Sequence, residues 1–283
     1  MTFDEVVDFY VSASTHRSKD RDQISLGHLR QFFHGRTLAD IRRPDMRRYI
    51  VQRQAEGISV STVKRELAVF SAAVNYSALE LELDLHNPAR GLGLREPQGR
   101  VRWITRDEAK ALVREAARFQ RRPHLQSFIR LALNTGCRRS ELALLEWSRV
   151  ELTHGLIFLE AQHTKAGKRR AVPLNEGALA GLRLMRDWLD LHDPKNPWVF
   201  GLPGGRCTTT FKHGFRAACD RAGIFDFRIH DMRHTCASWL VMSGVPLTVV
   251  RDVLGHSSIV MTERYAHLSP DLLREAVNVL PVF

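Results

Sequence analysis

Three short segments in the second half of the chain combine residue types that could act on a phosphate group. The first is Thr135–Leu142 (TGCRRSEL), in which a Thr-Gly turn leads into a predicted helix. This turn places Arg138 near the positive end of the helix, where an anion is stabilised. Glu141 lies three residues further on and can orient the guanidinium from the same helix face. Taken alone, an ordinary salt bridge at a helix start is the simpler interpretation.

The second segment is His230-Asp231-Met232-Arg233-His234, which leads into an apolar helix. One helical turn brings His230, Arg233 and His234 to neighbouring positions. A helix-capping histidine beside a surface arginine is one alternative. Zinc binding is another, because histidines four residues apart have the spacing of zinc ligands. That interpretation needs a glutamate at the second position and a third ligand, whereas the sequence has Asp231 there and an arginine beside the metal.

The third segment joins a Gly-His corner to a tyrosine. His256 precedes Tyr265 by nine positions. A tyrosine supplies an oxygen nucleophile that can form a covalent phosphoester. Taken alone, Tyr265 is better explained as a side chain half-buried at the edge of a helix.

The charge of the chain favours a polyanionic partner. The 283 residues carry a formal net charge of +11, of which residues 1–100 contribute +2 and residues 101–283 contribute +9. Nucleic acid is the leading candidate, and a merely basic protein is the alternative. The smaller part still concentrates four arginines in one short stretch, for which a solvated helix face is the alternative to DNA binding. They are Arg42, Arg43, Arg47 and Arg48.

Composition excludes several other classes of protein. A hydrophobic fraction of 44% is ordinary for a globular chain. No stretch approaches the roughly 20 apolar residues that span a bilayer, and the first ten residues contain three acids and no Lys or Arg, unlike a secretory signal. The four cysteines form no CxxC pair, so we expect reduced, mostly buried thiols of a cytoplasmic protein. They are Cys137, Cys207, Cys219 and Cys236.

Apolar periodicity predicts a helical first domain over residues 1–90. Stripes begin at Phe3 and at Leu26, Pro44 opens a third helix, and Ser59 caps a fourth. Residues 91–100 are rich in Gly, Arg and Pro, which is typical of a linker.

A second domain is predicted over residues 101–283, including a C-terminal tail. Thr105 and Glu108 have capping-box spacing and mark its first helix. The β-prone runs 156–159 and 171–174 flank a basic stretch, which indicates two strands joined by a basic turn. The predicted fold class is mainly α with a small β-sheet, α+β.

In this order and spacing, the three segments resemble the catalytic domain of the tyrosine recombinases, the phage-integrase and Xer family. The resemblance runs from about Trp103 to His267, and residues 1–90 are similar to the family's core-binding domain. Lys168 is the alternative at the lysine position, because hairpin length varies. Glu141 matches the acidic position after the first arginine. The matching catalytic positions are Arg138, Lys165, His230, Arg233, His256 and Tyr265.

The resemblance implies site-specific recombination or integration, as in mobile genetic elements, through a 3′-phosphotyrosyl intermediate and a Holliday junction. No ATP, metal or other cofactor is expected. Arg138 and Arg233 would clamp the non-bridging oxygens of the phosphate. His230 would accept the tyrosine proton, Lys165 would protonate the departing 5′-oxygen, and His256 would hydrogen-bond the phosphate.

The resemblance also implies partners. They are double-stranded DNA with inverted half-sites and a homo-tetramer on two duplexes, with an accessory directionality protein left open. Lys168, Arg169 and Arg170 join the arginines of the first domain as candidate DNA contacts. The helical pattern begins at Phe3, so we expect action on short core sites without an arm-binding domain. A C-terminal amphipathic helix is expected to dock on a neighbouring protomer or on its own domain.

Three alternatives remain on sequence grounds. A type IB topoisomerase shares the nucleophile and much of the catalytic set, although the length and the first domain fit it poorly. A non-catalytic DNA-binding regulator with the same fold is the second, and the intact set of residues argues against it. A metallohydrolase is the third, and Asp231 at the glutamate position and the arginine beside the metal argue against it.

Overall fold

The computed structural model describes residues 1–16, 18–95, 100–118, 122–164, 167–268 and 277–281, without the side chain of His163. Its contacts divide the chain into two compact units, Met1–Gly99 and Arg100–Phe283. The described part is mainly helical with small antiparallel sheets, which confirms the predicted fold class.

The first unit contains the four predicted helices. Ser59 accepts a hydrogen bond from the backbone of Thr62, as expected of its capping position. Leu92 and Leu94 pack against the core of this unit, so the core continues past residue 90 into the predicted linker. Residues 96–99 of that linker lie outside the described residues. The helices are α1 (Phe3–Ala13), α2 (Lys19–Phe33), α3 (Arg43–Ala55) and α4 (Val60–Glu80).

A buried polar trio links two of these helices. Tyr49 of α3 donates its hydroxyl to Glu66 of α4 at 2.7 Å. Arg53 donates to the two oxygens of the same carboxylate at 3.1 and 2.7 Å, and to Glu56 at 2.5 Å. Every side-chain nitrogen of Arg53 therefore has an acidic partner.

The second unit is built around α6, which packs against the helices before and after it in the chain, and against α8 and α10. Thr105 and Glu108 form the predicted capping box at the start of α5. The helices are α5 (Arg106–Ala117), α6 (His124–Thr135), α7 (Arg139–Ala143), α8 (Glu176–His192), α9 (Lys212–Arg221), α10 (Asp231–Met242), α11 (Leu247–Leu254) and α12 (Val260–Glu263).

A three-stranded antiparallel sheet lies between α7 and α8 in the chain. It consists of β1 (Val150–Glu151), β2 (Leu156–Leu159) and β3 (Arg170–Pro173), with Ile157 opposite both Val150 and Val172. The predicted hairpin of β2 and β3 is confirmed. Its second strand begins and ends one residue earlier than the predicted range 171–174. The two-residue strand β1 and the small hairpin of β4 (Gly201–Leu202) and β5 (Arg206–Cys207) were not predicted, because two residues carry no alternation of polarity.

Candidate active site

The turn between α6 and α7 places the first arginine of the site. Gly136 ends α6 in the left-handed conformation (φ +62°), and a Cβ there would lie 2.4 Å from a methyl carbon of Leu254. Glycine is therefore required by both conformation and space. Arg138 follows as the N-cap of α7. Its backbone N and its Nη1 each donate to Glu141 at 2.8 Å, as the three-residue spacing predicts.

A second arginine reaches the same carboxylate from the sheet. Arg170 of β3 donates from Nη2 to Glu141 Oε2 at 2.7 Å and from Nη1 to Oε1 at 3.3 Å. Burial acts to raise the pKa of Glu141, but Arg170 and Arg138 hold it below its usual value, so the carboxylate is charged. The Arg170 side chain is only 12% exposed. Its predicted companions as DNA contacts, Lys168 and Arg169, are exposed on the preceding connection.

The third arginine lies on α10. Arg233 is 4% exposed and donates from Nη1 to the carbonyl oxygen of Gly136 at 2.7 Å. Its Nη2 is buried and has no hydrogen-bond partner within the described ranges. Burial and the neighbouring charge of Arg138 lower the pKa of Arg233 to about 10, which still leaves it charged at neutral pH. A buried donor without a partner is costly, so this position favours an incoming anion.

The tyrosine lies directly after α12 and is almost completely buried. Tyr265 is 1% exposed, and its hydroxyl lies 2.6 Å from Nδ1 of His234, which is itself 9% exposed. Burial raises the pKa of Tyr265 to about 12, against the opposing effect of Arg264 and Arg233. Burial, then the neighbouring His230, lowers the pKa of His234 to about 4. His234 is therefore neutral at pH 7.

The Gly-His corner supplies the last predicted histidine. Gly255 ends α11 in the left-handed conformation, and His256 follows it with its Nδ1 2.8 Å from the hydroxyl oxygen of the buried Thr262 on α12. Burial, with Arg233 and Arg138 nearby, lowers the pKa of His256 to about 4. Like His234, this ring is neutral at pH 7.

One cleft of about 360 Å³ is lined by Arg138, Arg233, the tyrosine and both of these histidines. Five of the six predicted catalytic residues therefore lie together, although they come from three separate parts of the sequence. Lys165 lies outside the described residues, and its alternative Lys168 is exposed. The cleft is lined by Arg138, His230, Arg233, His234, His256, Ser257, Met261, Arg264 and Tyr265.

Comparison with known proteins shows the family of the chain and the likeness of its fold. The model of the phage integrase family matches residues 102–271. The chain belongs to the phage integrase family. It is 33% identical to the integrase of Salmonella phage P22 over 77% of this chain and 56% of the relative. It is 31% identical to the shufflon-specific DNA recombinase of Escherichia coli, over 76% of this chain and 53% of the relative.

A further relative matches over more of its length. The tyrosine recombinase XerD of Rhizobium meliloti is 28% identical over 94% of this chain and 89% of the relative. This integrase-family chain thus spans little more than half of the first two relatives but most of the third. Its fold resembles that of the Tn1549 transposon integrase (TM-score 0.80, 17% identity, 99% and 100% of the two chains covered). It also resembles lambda integrase (TM-score 0.76, 19% identity, 94% and 95% covered).

Thr262, which hydrogen-bonds to His256, was not predicted as part of this integrase-family site, and neither were four residues that line the cleft: His234, Ser257, Met261 and Arg264. The sequence places His234 within one helical turn of His230 and Arg233, with zinc binding as an alternative, but gives it no catalytic role. No group of His, Cys, Asp or Glu that could hold a metal ion occurs among the described residues. The contact between His234 and Tyr265 joins residues that are 31 positions apart, so it depends on tertiary packing. The residue spacing of His230 and His234 shows only that the two share a helix face.

The arginine cluster predicted in the first unit lies at the start of α3. All four side chains are exposed. Arg43 donates to the carbonyl oxygen of Gly91 at 2.6 Å, and Arg48 pairs with Asp45. The members of the cluster are Arg42, Arg43, Arg47 and Arg48.

Within the described ranges, no helix is long and apolar enough to cross a bilayer.

Proposed function

We propose that this protein is a site-specific DNA recombinase that cleaves and rejoins strands through a phosphotyrosyl bond at Tyr265. The observation that carries the proposal is the charge of the cleft. Arg138 and Arg170 share the single carboxylate of Glu141, and Arg233 beside them keeps a buried donor without a partner among the described residues. The tyrosine hydroxyl and two neutral histidines line the same cleft. Such a site is suited to a phosphodiester, whose charge the arginines neutralise.

The proposed reaction begins with attack of Tyr265 Oη on the scissile phosphorus. Arg138 and Arg233 stabilise the charge of the non-bridging oxygens in the transition state, and His256 donates a hydrogen bond to the phosphate. The tyrosine becomes joined to the 3′-phosphate, while the departing 5′-oxygen takes a proton from Lys165. Attack by the 5′-hydroxyl of another strand reverses these steps and exchanges the strands without ATP, a metal or another cofactor.

We further propose that two domains bind the duplex as the two halves of a clamp. Residues 1–90 act as the core-binding domain, with its exposed arginine cluster against phosphates, and residues 101–283 act as the catalytic domain. Known structures include a lambda integrase dimer on a core site and XerH on a palindromic substrate. By analogy, protomers of this chain bind inverted half-sites, and four of them on two duplexes form the Holliday junction, with or without an accessory directionality protein.

Covalent trapping tests this proposal. A DNA fragment from the region flanking the gene is nicked so that the 5′-hydroxyl product diffuses away after cleavage. The wild-type protein should form a denaturant-resistant adduct whose DNA-bearing peptide contains Tyr265, and excess EDTA should not prevent it. Tyr265→Phe should bind DNA equally well and form none, whereas the matched variant Tyr49→Phe should form the adduct normally.

Two results would contradict the proposal. One is an adduct formed by Tyr265→Phe. The other is relaxation of supercoiled plasmids that lack any recombination site, which would favour the type IB topoisomerase activity instead.

A further inference from the structure

We propose that His234, and not His230, takes the proton of Tyr265 when the tyrosine attacks DNA. The proposal deepens the proposed function and depends on it, because it concerns activation of the same nucleophile. The sequence favours His230, the first histidine of the segment, as the acceptor of this proton. The structure gives the tyrosine hydroxyl a different neighbour.

The geometry favours His234 directly. Its Nδ1 lies 2.6 Å from Tyr265 Oη, a short hydrogen bond between two buried groups. No other hydrogen bond to this hydroxyl occurs among the described residues. His230 is exposed and contacts His234 instead, with the two ring centroids 5.1 Å apart and the rings nearly perpendicular. A proton leaving Tyr265 therefore meets His234 first.

The fold holds both partners of this contact in place. His234 lies one turn into α10, a helix whose first turns are almost wholly buried. The ring of Tyr265 packs in a small apolar cluster with Ala237, Val241 and Leu254. Because the phenol is enclosed on its ring faces, the hydrogen bond to His234 fixes the direction of its oxygen before any DNA arrives.

The surrounding charges keep His234 in the state that can accept a proton. His230, Arg264, Arg233 and Arg100 all act with burial to disfavour the imidazolium. The neutral ring leaves one nitrogen without a proton, and that nitrogen can receive the tyrosine O–H. Entry of a phosphate brings a negative charge into the cleft and lessens this penalty, while Arg264 and Arg233 stabilise the developing phenolate.

The proposed step balances in protons and electrons. The O–H bond of Tyr265 breaks and the proton moves to Nδ1 of His234, which becomes an imidazolium. The freed electron pair forms the bond from oxygen to phosphorus as the bond to the 5′-oxygen breaks. In rejoining, the phosphotyrosyl bond breaks and the imidazolium returns the proton to the phenolate oxygen.

Substitution of His234 by asparagine tests the step. An asparagine oxygen can approach the position of Nδ1 and accept the hydrogen bond, but it cannot take a proton. Single-turnover adduct formation at saturating DNA should fall about 100-fold, the lower range for loss of a general base, with unchanged DNA affinity. The loss should diminish as pH rises and hydroxide replaces the histidine.

A second substrate separates the two ends of the reaction. A sulfur in place of the bridging 5′-oxygen makes a leaving group that needs no proton. Such a substrate should not rescue His234→Asn, because that variant lacks the acceptor for the tyrosine proton. Rescue would place His234 at the leaving group and overturn the proposal, as would cleavage by His234→Asn within a few-fold of wild type.

Folding controls keep the test decisive. All five tryptophans lie in residues 100–283, so tryptophan fluorescence reports the second unit directly. If His234→Asn does not fold, His234→Gln, which is equally unable to take a proton, enters the same comparison. Failure of the wild-type protein to form an adduct at Tyr265 would contradict the proposed function itself, whereas wild-type adduct with fully active His234 variants would contradict only this step.

Discussion

Each unit of the molecule buries a tyrosine hydroxyl and an arginine, and the hydrogen-bond partners of the two tyrosines differ in charge. In the first unit, Tyr49 and Arg53 share the carboxylate of Glu66, and each side-chain nitrogen of Arg53 has an acidic partner. In the second, Tyr265 forms a hydrogen bond with a neutral histidine. Arg233 donates to a backbone carbonyl and keeps one buried donor unpaired among the described residues.

The difference lies in the charges that act on the hydroxyl of the structural tyrosine and on that of the proposed nucleophile. Burial and the Glu66 carboxylate both raise the pKa of Tyr49 and outweigh the opposing effect of Arg53, so its hydroxyl stays protonated and acts as a donor. Burial also raises the pKa of Tyr265, but Arg264 and Arg233 act in the opposite direction. The positive field around Tyr265 therefore lowers the cost of forming a phenolate, whereas the negative neighbour of Tyr49 raises it.

Removing one arginine from each group should separate chemistry from stability most clearly. Arg233→Ala removes a donor that the proposed transition state needs, so single-turnover cleavage should fall by about 10²–10³-fold. Arg53→Ala instead leaves the buried Glu66 carboxylate without its cation, and should lower the free energy of unfolding by about 3–5 kcal/mol. Adduct formation and urea unfolding followed by far-UV circular dichroism measure the two effects.

The same pair of variants carries its own control. The first unit contains no tryptophan, so the fluorescence transition should be unchanged in Arg53→Ala while the circular dichroism transition shifts. Cleavage by folded Arg53→Ala should be close to wild type. The comparison fails if Arg233→Ala cleaves normally, or if both variants lose cleavage to the same extent.

Arg170 offers a smaller test of the same difference within the second unit. Arg170→Met removes one of the two cations on Glu141, and Arg138 remains. We expect a loss of about 2 kcal/mol in stability, as for a buried hydrogen bond to a charged group, and cleavage slowed about tenfold because Glu141 no longer holds Arg138 in the same position. Tryptophan fluorescence in urea and single-turnover cleavage measure these changes.

Arg169→Met is the matched control, because Arg169 is exposed and pairs with Glu160 outside the cleft. It should leave stability unchanged and affect DNA binding alone. If Arg170→Met behaved in the same way as Arg169→Met, the position of Arg170 in the site would be wrong, and its first interpretation as a DNA contact would be favoured.

The sequence predicted those features of the site that depend on short spacing. Arg138 and Glu141 are three residues apart, and the helix that starts between them brings them together. The contact of Arg170 with Glu141 spans 29 positions, and that of His234 with Tyr265 spans 31. Such contacts depend on how the sheet and α12 pack against the helices, which no local periodicity encodes. The family resemblance brought together the positions that it assigns, and His234 is not one of them.

The smallest expected effect concerns the pH dependence of stability in the second unit. His234 has a folded pKa of about 4, lowered from an ordinary value of 6.5, so the unfolded chain binds its proton first as the pH falls. The stability that depends on this neutral ring is complete above pH 6.5 and is lost progressively between pH 6.5 and 4. At pH 5.5 the loss is about 1.4 kcal/mol relative to pH 8.

His234→Asn removes the titrating group. The unfolding free energy of this variant, followed by tryptophan fluorescence, should therefore fall less than that of wild type between pH 8 and 5.5, by about this amount. The Tyr49 group contains no histidine, so Tyr49→Phe should keep the wild-type slope. Equal slopes for wild type and His234→Asn would show that His234 is not held neutral by the fold, and would remove this distinction between the two buried tyrosines.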